Sequence, residues 1–158
     1  MRQILLVVDV QPSFGPPDWL VTDIRSLLGR VPSVATVERH DESRTPFERQ
    51  LRWHPSVGDE SLIAAGRVFV KHGYLPPLEA IEYLWNLAPE RVLVCGMQTE
   101  TCVLAAGYAL FDAGLTPTLI SDLTVGSSLD RSGKLGTELW RHHFGHVISM
   151  KALVAEFE

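Results

Sequence analysis

The sequence predicts an α/β fold: a parallel sheet with helices on both of its faces. Three observations carry that reading. Short apolar runs alternate with segments of helical periodicity along all 158 residues. The runs at Gln3 to Val8 and at Val92 to Cys95 are continuous instead of alternating, as in strands buried on both faces. Parallel neighbours need crossovers, and right-handed crossovers place the intervening helices on the two sides of the sheet.

Composition narrows the class. A content of 46% hydrophobic and 21% charged residues is ordinary for a globular protein. The length suits one domain over residues 1–158, with no repeat, low-complexity tract or Gly/Ser linker to divide it. A formal net charge of −5 argues against a nucleic-acid partner, which calls for a basic surface. The opening run MRQILLVVDV is too short for a membrane span and is followed by prolines instead of a cleavage site, so no membrane partner is expected. Cys95 and Cys102 have neither a zinc spacing nor a disulfide framework, which fits a reducing, cytoplasmic setting.

In chain order, Gln3 to Val8 is the first strand, with Asp9 at its carboxyl end. A helix follows from Pro17 to Leu28, with Pro17 in its first turn, Gly29 as its stop, and a stripe of Trp19, Leu20, Ile24, Leu27 and Leu28. Ser33 to Val37 is the second strand, and Glu38, Arg39, His40, Asp41 and Glu42 form a charged cluster after it. Residues 43–60 read as a loop with a helical turn near Phe47 to Arg52 and a substrate-covering role. Arg67 to Val70 is the third strand, ending in Lys71. Pro76 and Pro77 introduce a helix whose buried stripe is expected at Leu78, Ile81, Leu84 and Trp85. Thr116 to Ser121 is the fifth strand, Leu129 to Phe144 contains a helix, and His146 to Ser149 is the sixth strand before a terminal helix.

The fourth strand and its helix, residues 91–114, organise the rest. Gly96 ends the strand, Thr99 is a candidate helix cap, and Val103, Leu104, Ala106, Leu110 and Phe111 recur at helical spacing until Gly114. Cys102 then lies in the first helical turn, where the helix dipole favours an anion and predicts a depressed thiol pKa. Cys95, inside the strand, reads as core.

Ligands of an open parallel sheet bind beyond the carboxyl ends of its strands. Asp9, Lys71 and Cys102 all meet that rule, as a base, a cation and a nucleophile: Asp9 to take the thiol proton, Lys71 to stabilise the anion. Taken alone, Asp9 also suits a structural role on loop amides.

The segments VVDVQPSF, VFVKHGY and VCGMQTETCVLAAGYALFDAG, followed by LISDLTVG, resemble the isochorismatase-like cysteine hydrolases, which include nicotinamidases and carbamoyl-amide hydrolases. The most specific part is G-x-x-T-x-x-C-V from Gly96 to Val103 combined with the strand-end Asp and Lys. The resemblance implies a three-layer α/β/α domain of sheet order 3-2-1-4-5-6 and a catalytic triad of Asp9, Lys71 and Cys102. It also implies a cis peptide between Met97 and Gln98 that aims the backbone N–H groups of Gln98 and Cys102 into an oxyanion hole. The implied activity is hydrolysis of an amide or ureido C–N bond of a small molecule through a thioester, by a homo-oligomer. Two other readings go with the same fold: a catalytically idle binding or assembly subunit, and isochorismatase-type ether hydrolysis.

Departures from the family sharpen the reading. Its nicotinamidases hold a metal with an Asp-x-His pair after strand two and a further His, whereas Arg39, His40, Asp41 and Glu42 stand there in this chain. No metal and no cofactor are therefore expected; His40, Asp41, His54 and His72 are the donors a metal would use. The chain is short between strands one and three, over residues 15–66, where the lid and substrate contacts of the family lie. Phe14, Trp53 and Tyr74 are the candidate pocket residues, Phe14 foremost because it follows Asp9 in the matching segment. Arg141, His142 and His143, near a helix end, receive no site.

Overall fold

The computed structural model describes residues 1–158. Six strands form one parallel sheet in the order β3-β2-β1-β4-β5-β6: β1 (Gln3–Val8), β2 (Ser33–Glu38), β3 (Arg67–Lys71), β4 (Arg91–Met97), β5 (Pro117–Val125) and β6 (Val147–Ile148). The helices between them are α1 (Asp18–Leu27), α2 (Phe47–Leu51), α3 (Leu78–Asn86), α4 (Leu104–Asp112), α5 (Lys134–Phe144) and α6 (Met150–Glu156). None is long and apolar enough to cross a membrane.

Strand alternation divides the core into two layers. Ile4, Leu6 and Val8 of β1 pack with Ala80 and Leu84 of α3, Leu104 and Leu110 of α4, and Trp140 of α5. Leu5 and Val7 pack on the opposite face with Leu20, Ile24 and Leu27 of α1 and Leu153 of α6. Because β1 and β4 are covered on both sides, their runs are continuous, and Leu5, Leu6, Val7, Leu93 and Val94 are wholly buried.

Two expected helical stripes are corrected. On α3 Leu84 and the partly buried Ile81 pack on the core as expected, joined by Ala80, while Leu78 and Trp85 are exposed; on α1 Trp19 is exposed. Each helix presents a narrow contact to the sheet, and its bulkiest terminal side chains fall outside it. The connection between β2 and β3 contains only the five-residue α2. No full helix covers the outer edge of the sheet there, and Val68 and Val70 of β3 are exposed.

Gly96 governs the closest approach in the sheet. It stands opposite Val8 in the β1–β4 register, where the pairing of β4 with β5 also shifts, and it has φ +113. A Cβ at this position would lie 2.2 Å from the Val8 carbonyl oxygen. Only glycine allows β4 to pass so close to the end of β1 while its register against β5 shifts. Gly96→Ala is expected to lower the unfolding free energy by about 3 kcal/mol or more, from overpacking against backbone and the unfavourable φ together. Urea unfolding would show it as a reduced midpoint at unchanged m; a midpoint equal to wild type would refute the constraint.

Candidate active site

The sheet reverses its order between β1 and β4, and chemistry-bearing side chains gather at the carboxyl edge beside that point. Asp9, the first residue past β1, adopts φ 50, a left-handed conformation that Asp tolerates better than most residues. Its Oδ1 accepts the Thr36 hydroxyl of β2 at 2.8 Å. Its Oδ2 lies 2.8 Å from Lys71 Nζ, at the end of β3, in an ion pair that is almost completely buried. Lys71 also donates to the Tyr74 carbonyl at 2.9 Å. Cys102, 5% exposed, faces this pair from beyond β4. Asp9, Lys71 and Cys102 are thus brought together.

The turn that carries Cys102 differs from expectation. Residues Thr99–Val103 form a π-helical turn, and α4 begins only at Leu104. Thr99 does not cap the helix; its hydroxyl donates to Thr124 Oγ1 at 2.8 Å. The turn is braced by α5, where a Cβ on Gly136 would come within 2.6 Å of the Thr99 backbone. The peptide bond between Met97 and Gln98 is cis.

A fourth ionisable residue, overlooked in the sequence, completes the cluster. Glu38 is the last residue of β2, 2% exposed, and its Oε2 lies 3.9 Å from Cys102 Sγ. Gln11 clamps its backbone from both sides: the Glu38 N–H donates to Gln11 Oε1 at 2.7 Å, and Gln11 Nε2 donates to the Glu38 carbonyl at 2.7 Å. In the sequence Glu38 reads only as the first member of the charged cluster after the second strand, and period-two alternation was the available signal. Val34, which joins the core layer containing Cys102, is followed on the same strand face by Thr36 and Glu38.

Electrostatics corrects a second expectation. Burial pushes the Cys102 thiol well above its ordinary pKa; the Asp9 and Glu38 carboxylates add to the push, and Lys71 opposes it. The expected depression by a helix N-terminus is overridden by desolvation and like charge. For Glu38, burial is the largest cause of a rise to about 7, with Asp9 adding and Lys71 opposing. Burial works against the charged form of Lys71, yet Asp9, Cys102 and Glu38 outweigh it and hold the ammonium above its usual range.

The aromatic candidates meet around a residue not singled out for the pocket. Phe47 of α2 lies 6.1 Å from the Trp53 ring and 5.6 Å from the Tyr74 ring, and Phe14 lies 6.1 Å from Trp53. Thr45, Pro46, Phe47, Gln50, Leu51 and Tyr74 line a shallow cavity of about 250 Å³. Burial, followed by the charges of Cys102 and Glu38, raises the Tyr74 phenol; Cys102 itself is not among the residues that line the cavity.

The converging donor set does not suit a metal ion. Donor atoms of Asp9, Glu38 and Cys102 lie within 4.8 Å of one another, but no histidine nitrogen belongs to the group. Lys71 already supplies the cation, and both Asp9 oxygens are engaged. Glu38 and His40 have an acid-x-His spacing, but the His40 and His54 rings stack at 4.2 Å with an interplanar angle of 14°. Stacked rings aim their in-plane lone pairs side by side, not at one point. His72 Nδ1 lies 2.9 Å from the Arg39 carbonyl, and Asp41 is taken up by Ser43 and Arg44.

With this geometry in hand, comparison with known proteins is specific about family. Residues 3–152 match the Isochorismatase domain. No curated protein matches the sequence. Among solved structures, an isochorismatase-like hydrolase from Alkaliphilus metalliredigens superposes with a TM-score of 0.79 at 16% identity, covering 99% of this chain and 97% of that one. The pyrazinamidase of Pyrococcus horikoshii, solved in complex with zinc, gives a TM-score of 0.79 at 19% identity, over 95% and 100% of the two chains. N-carbamoylsarcosine amidase from Thermoplasma acidophilum gives 0.73 at 20% identity, over 94% and 96%. At such identities the superpositions speak for the fold alone, while the domain match, spanning nearly the whole chain, shows that the protein belongs to the isochorismatase family of hydrolases.

Proposed function

We propose that this hydrolase cleaves a C–N bond of a small amide or ureido compound through a thioester on Cys102, with Asp9 and Lys71 as its charged partners. The observation that carries the reading is a buried thiol beside a buried carboxylate–ammonium pair at the sheet's point of reversal. Such a constellation is costly unless chemistry uses it, and it contains what acyl transfer needs.

The thiol gives its proton to a carboxylate of the site as sulfur attacks the carbonyl carbon. Lys71, held by Asp9, balances the negative charge that develops. The oxyanion is assigned to the backbone N–H groups of Gln98 and Cys102, an interaction commonly worth about 3 kcal/mol per donor. The proton then passes to the departing amine, and water hydrolyses the thioester to release the acid. The cavity walled by Phe47 and Tyr74, with Phe14 and Trp53 beside it, suits the apolar part of the acyl group.

Cys102→Ala is expected to abolish turnover while leaving the fold intact, and Asp9→Asn to be nearly as damaging because Lys71 loses its counter-charge. Intact-protein mass spectrometry during incubation with small amides, carbamoyl amines and ureido acids should reveal a transient acyl adduct in wild type and none in Cys102→Ala. Turnover that survives Cys102→Ala would refute the thioester and favour ether hydrolysis. Exhaustive chelation is expected to leave activity unchanged; a reversible loss restored by zinc or iron would show that the histidines rearrange to hold a metal.

A further inference from the structure

We infer that Asp59 is a positioning residue of the cysteine site, on the reading of Cys102 as the attacking group. Through the Gln11 carboxamide it fixes the end of β2 beside that thiol, and so couples the segment between α2 and β3 to the site.

The need for such a residue arises from the register of the sheet. Val8 pairs with Thr36, so a continued β1 would run on beside Glu38. Instead the chain turns away at Asp9, with φ 50, once the Asp9 N–H has been donated to the Thr36 carbonyl at 3.1 Å. The Glu38 N–H and C=O then face a gap where a strand would have met them, and buried main-chain groups without partners are costly. The Gln11 side chain fills that gap. It is wholly buried; its Oε1 accepts the Glu38 N–H at 2.7 Å and its Nε2 donates to the Glu38 carbonyl at 2.7 Å, as a peptide unit of a neighbouring strand would.

One carboxamide hydrogen remains, and Asp59 receives it. Gln11 Nε2 lies 3.3 Å from Asp59 Oδ2 and 3.4 Å from Ser13 Oγ. The same Oδ2 accepts the Ser13 N–H at 2.7 Å, in the short turn Pro12–Phe14. The Asp59 carbonyl accepts from Arg39 Nε at 2.9 Å, one residue beyond Glu38. Burial would raise the Asp59 carboxyl, yet its hydrogen bonds from Ser13 and Gln11 outweigh that and hold it below its ordinary range. An ionised carboxylate only accepts, so it draws the amino end of the Gln11 carboxamide and opposes the flipped orientation. Asp59 thus grips both Gln11 and the residue after Glu38. Glu38 Oε2 in turn lies 3.9 Å from Cys102 Sγ, so a loosened β2 end changes what covers a thiol that is only 5% exposed.

Two rates read this grip, and neither needs a substrate. Hydrogen exchange of the Glu38 amide, followed by NMR, reports the bond to Gln11 itself. Alkylation of Cys102 by iodoacetamide, followed at about pH 8 by intact mass with peptide mapping in exhaustively chelated protein, reports the cover of the thiol. In Asp59→Ala both rates are expected to rise by about tenfold or more, because the end of β2 opens locally. Asp59→Asn keeps an accepting oxygen where Oδ2 stands and is expected to hold both rates within about twofold of wild type. Cys95, wholly buried in β4, separates positioning from stability: it is expected to stay unmodified in every variant.

Unchanged Glu38 exchange in Asp59→Ala overturns the inference, because Gln11 then keeps its grip unaided. Faster Glu38 exchange with Cys102 alkylation equal to or slower than wild type overturns it too, since Asp59 would hold β2 without bearing on the thiol. Alkylation of Cys95 alongside Cys102 would trace both rates to global opening and leave Asp59 a structural residue only. An Asp59→Asn protein as fast as Asp59→Ala would make charge, not the accepted hydrogen bonds, the cause. Failure of the amide reading is a separate event, recognised when the acyl adducts are missing from wild type.

Discussion

The buried ion pair between Asp9 and Lys71 is the constraint on which the rest of the site depends. Two full charges held away from water are tolerable only when each meets its opposite at close range and the remaining polar atoms find partners. Three neighbouring strands satisfy that requirement: β1 ends in the carboxylate, β3 ends in the ammonium, and β2 between them supplies the Thr36 hydroxyl. Removing one member leaves an uncompensated buried charge, a loss typically of about 3 to 5 kcal/mol. The parallel register of β1, β2 and β3 is therefore tied to the electrostatics of the site.

Around that pair the chain collects further groups that would be unfavourable alone. A thiol raised by burial and a carboxyl brought near neutrality share one small volume with a single ammonium. The negative groups of this volume all bear on Lys71, so a change of charge at one of them is felt by the others. The surrounding backbone is correspondingly fixed. Gln11 binds Glu38 through both of its main-chain groups, and Gly136 lets α5 approach the turn that carries Cys102. Preorganisation of this kind is what acyl-transfer chemistry asks of a fold.

Much of the architecture was legible in the chain. Continuous apolar runs marked β1 and β4, prolines and glycines marked the helix ends, and their alternation implied the parallel sheet. Asp9 and Lys71 could be placed at strand ends because each follows an apolar run directly. Other parts were not legible for reasons particular to each residue. Glu38 opens a run of five charged or titratable residues, which hid its place as the last residue of β2, paired with Lys71 in register and on the strand face shared by Val34 and Thr36. Leu78 and Trp85 match a helical stripe, but α3 packs Ala80, Leu84 and the partly buried Ile81 and Tyr83 against the core, and no local pattern reports how closely a helix sits on a sheet.

The direction of the thiol's pKa shows most plainly where local reasoning ends. From the chain alone, Cys102 stands near a helix start, and the helix dipole acts over one turn, a short-range effect that sequence can foresee. Desolvation and the fields of Asp9 and Glu38 come from segments dozens of residues away and exist only when β1, β2 and the π-helical turn are assembled. What the sequence determined by itself was the fold class and the residue types delivered to the sheet's carboxyl edge, because both follow from periodicity along the chain. What only the tertiary structure decided was which carboxylate lies free beside the thiol and which is bound to Lys71. Distances and desolvation set that division, and neither is a property of any single segment.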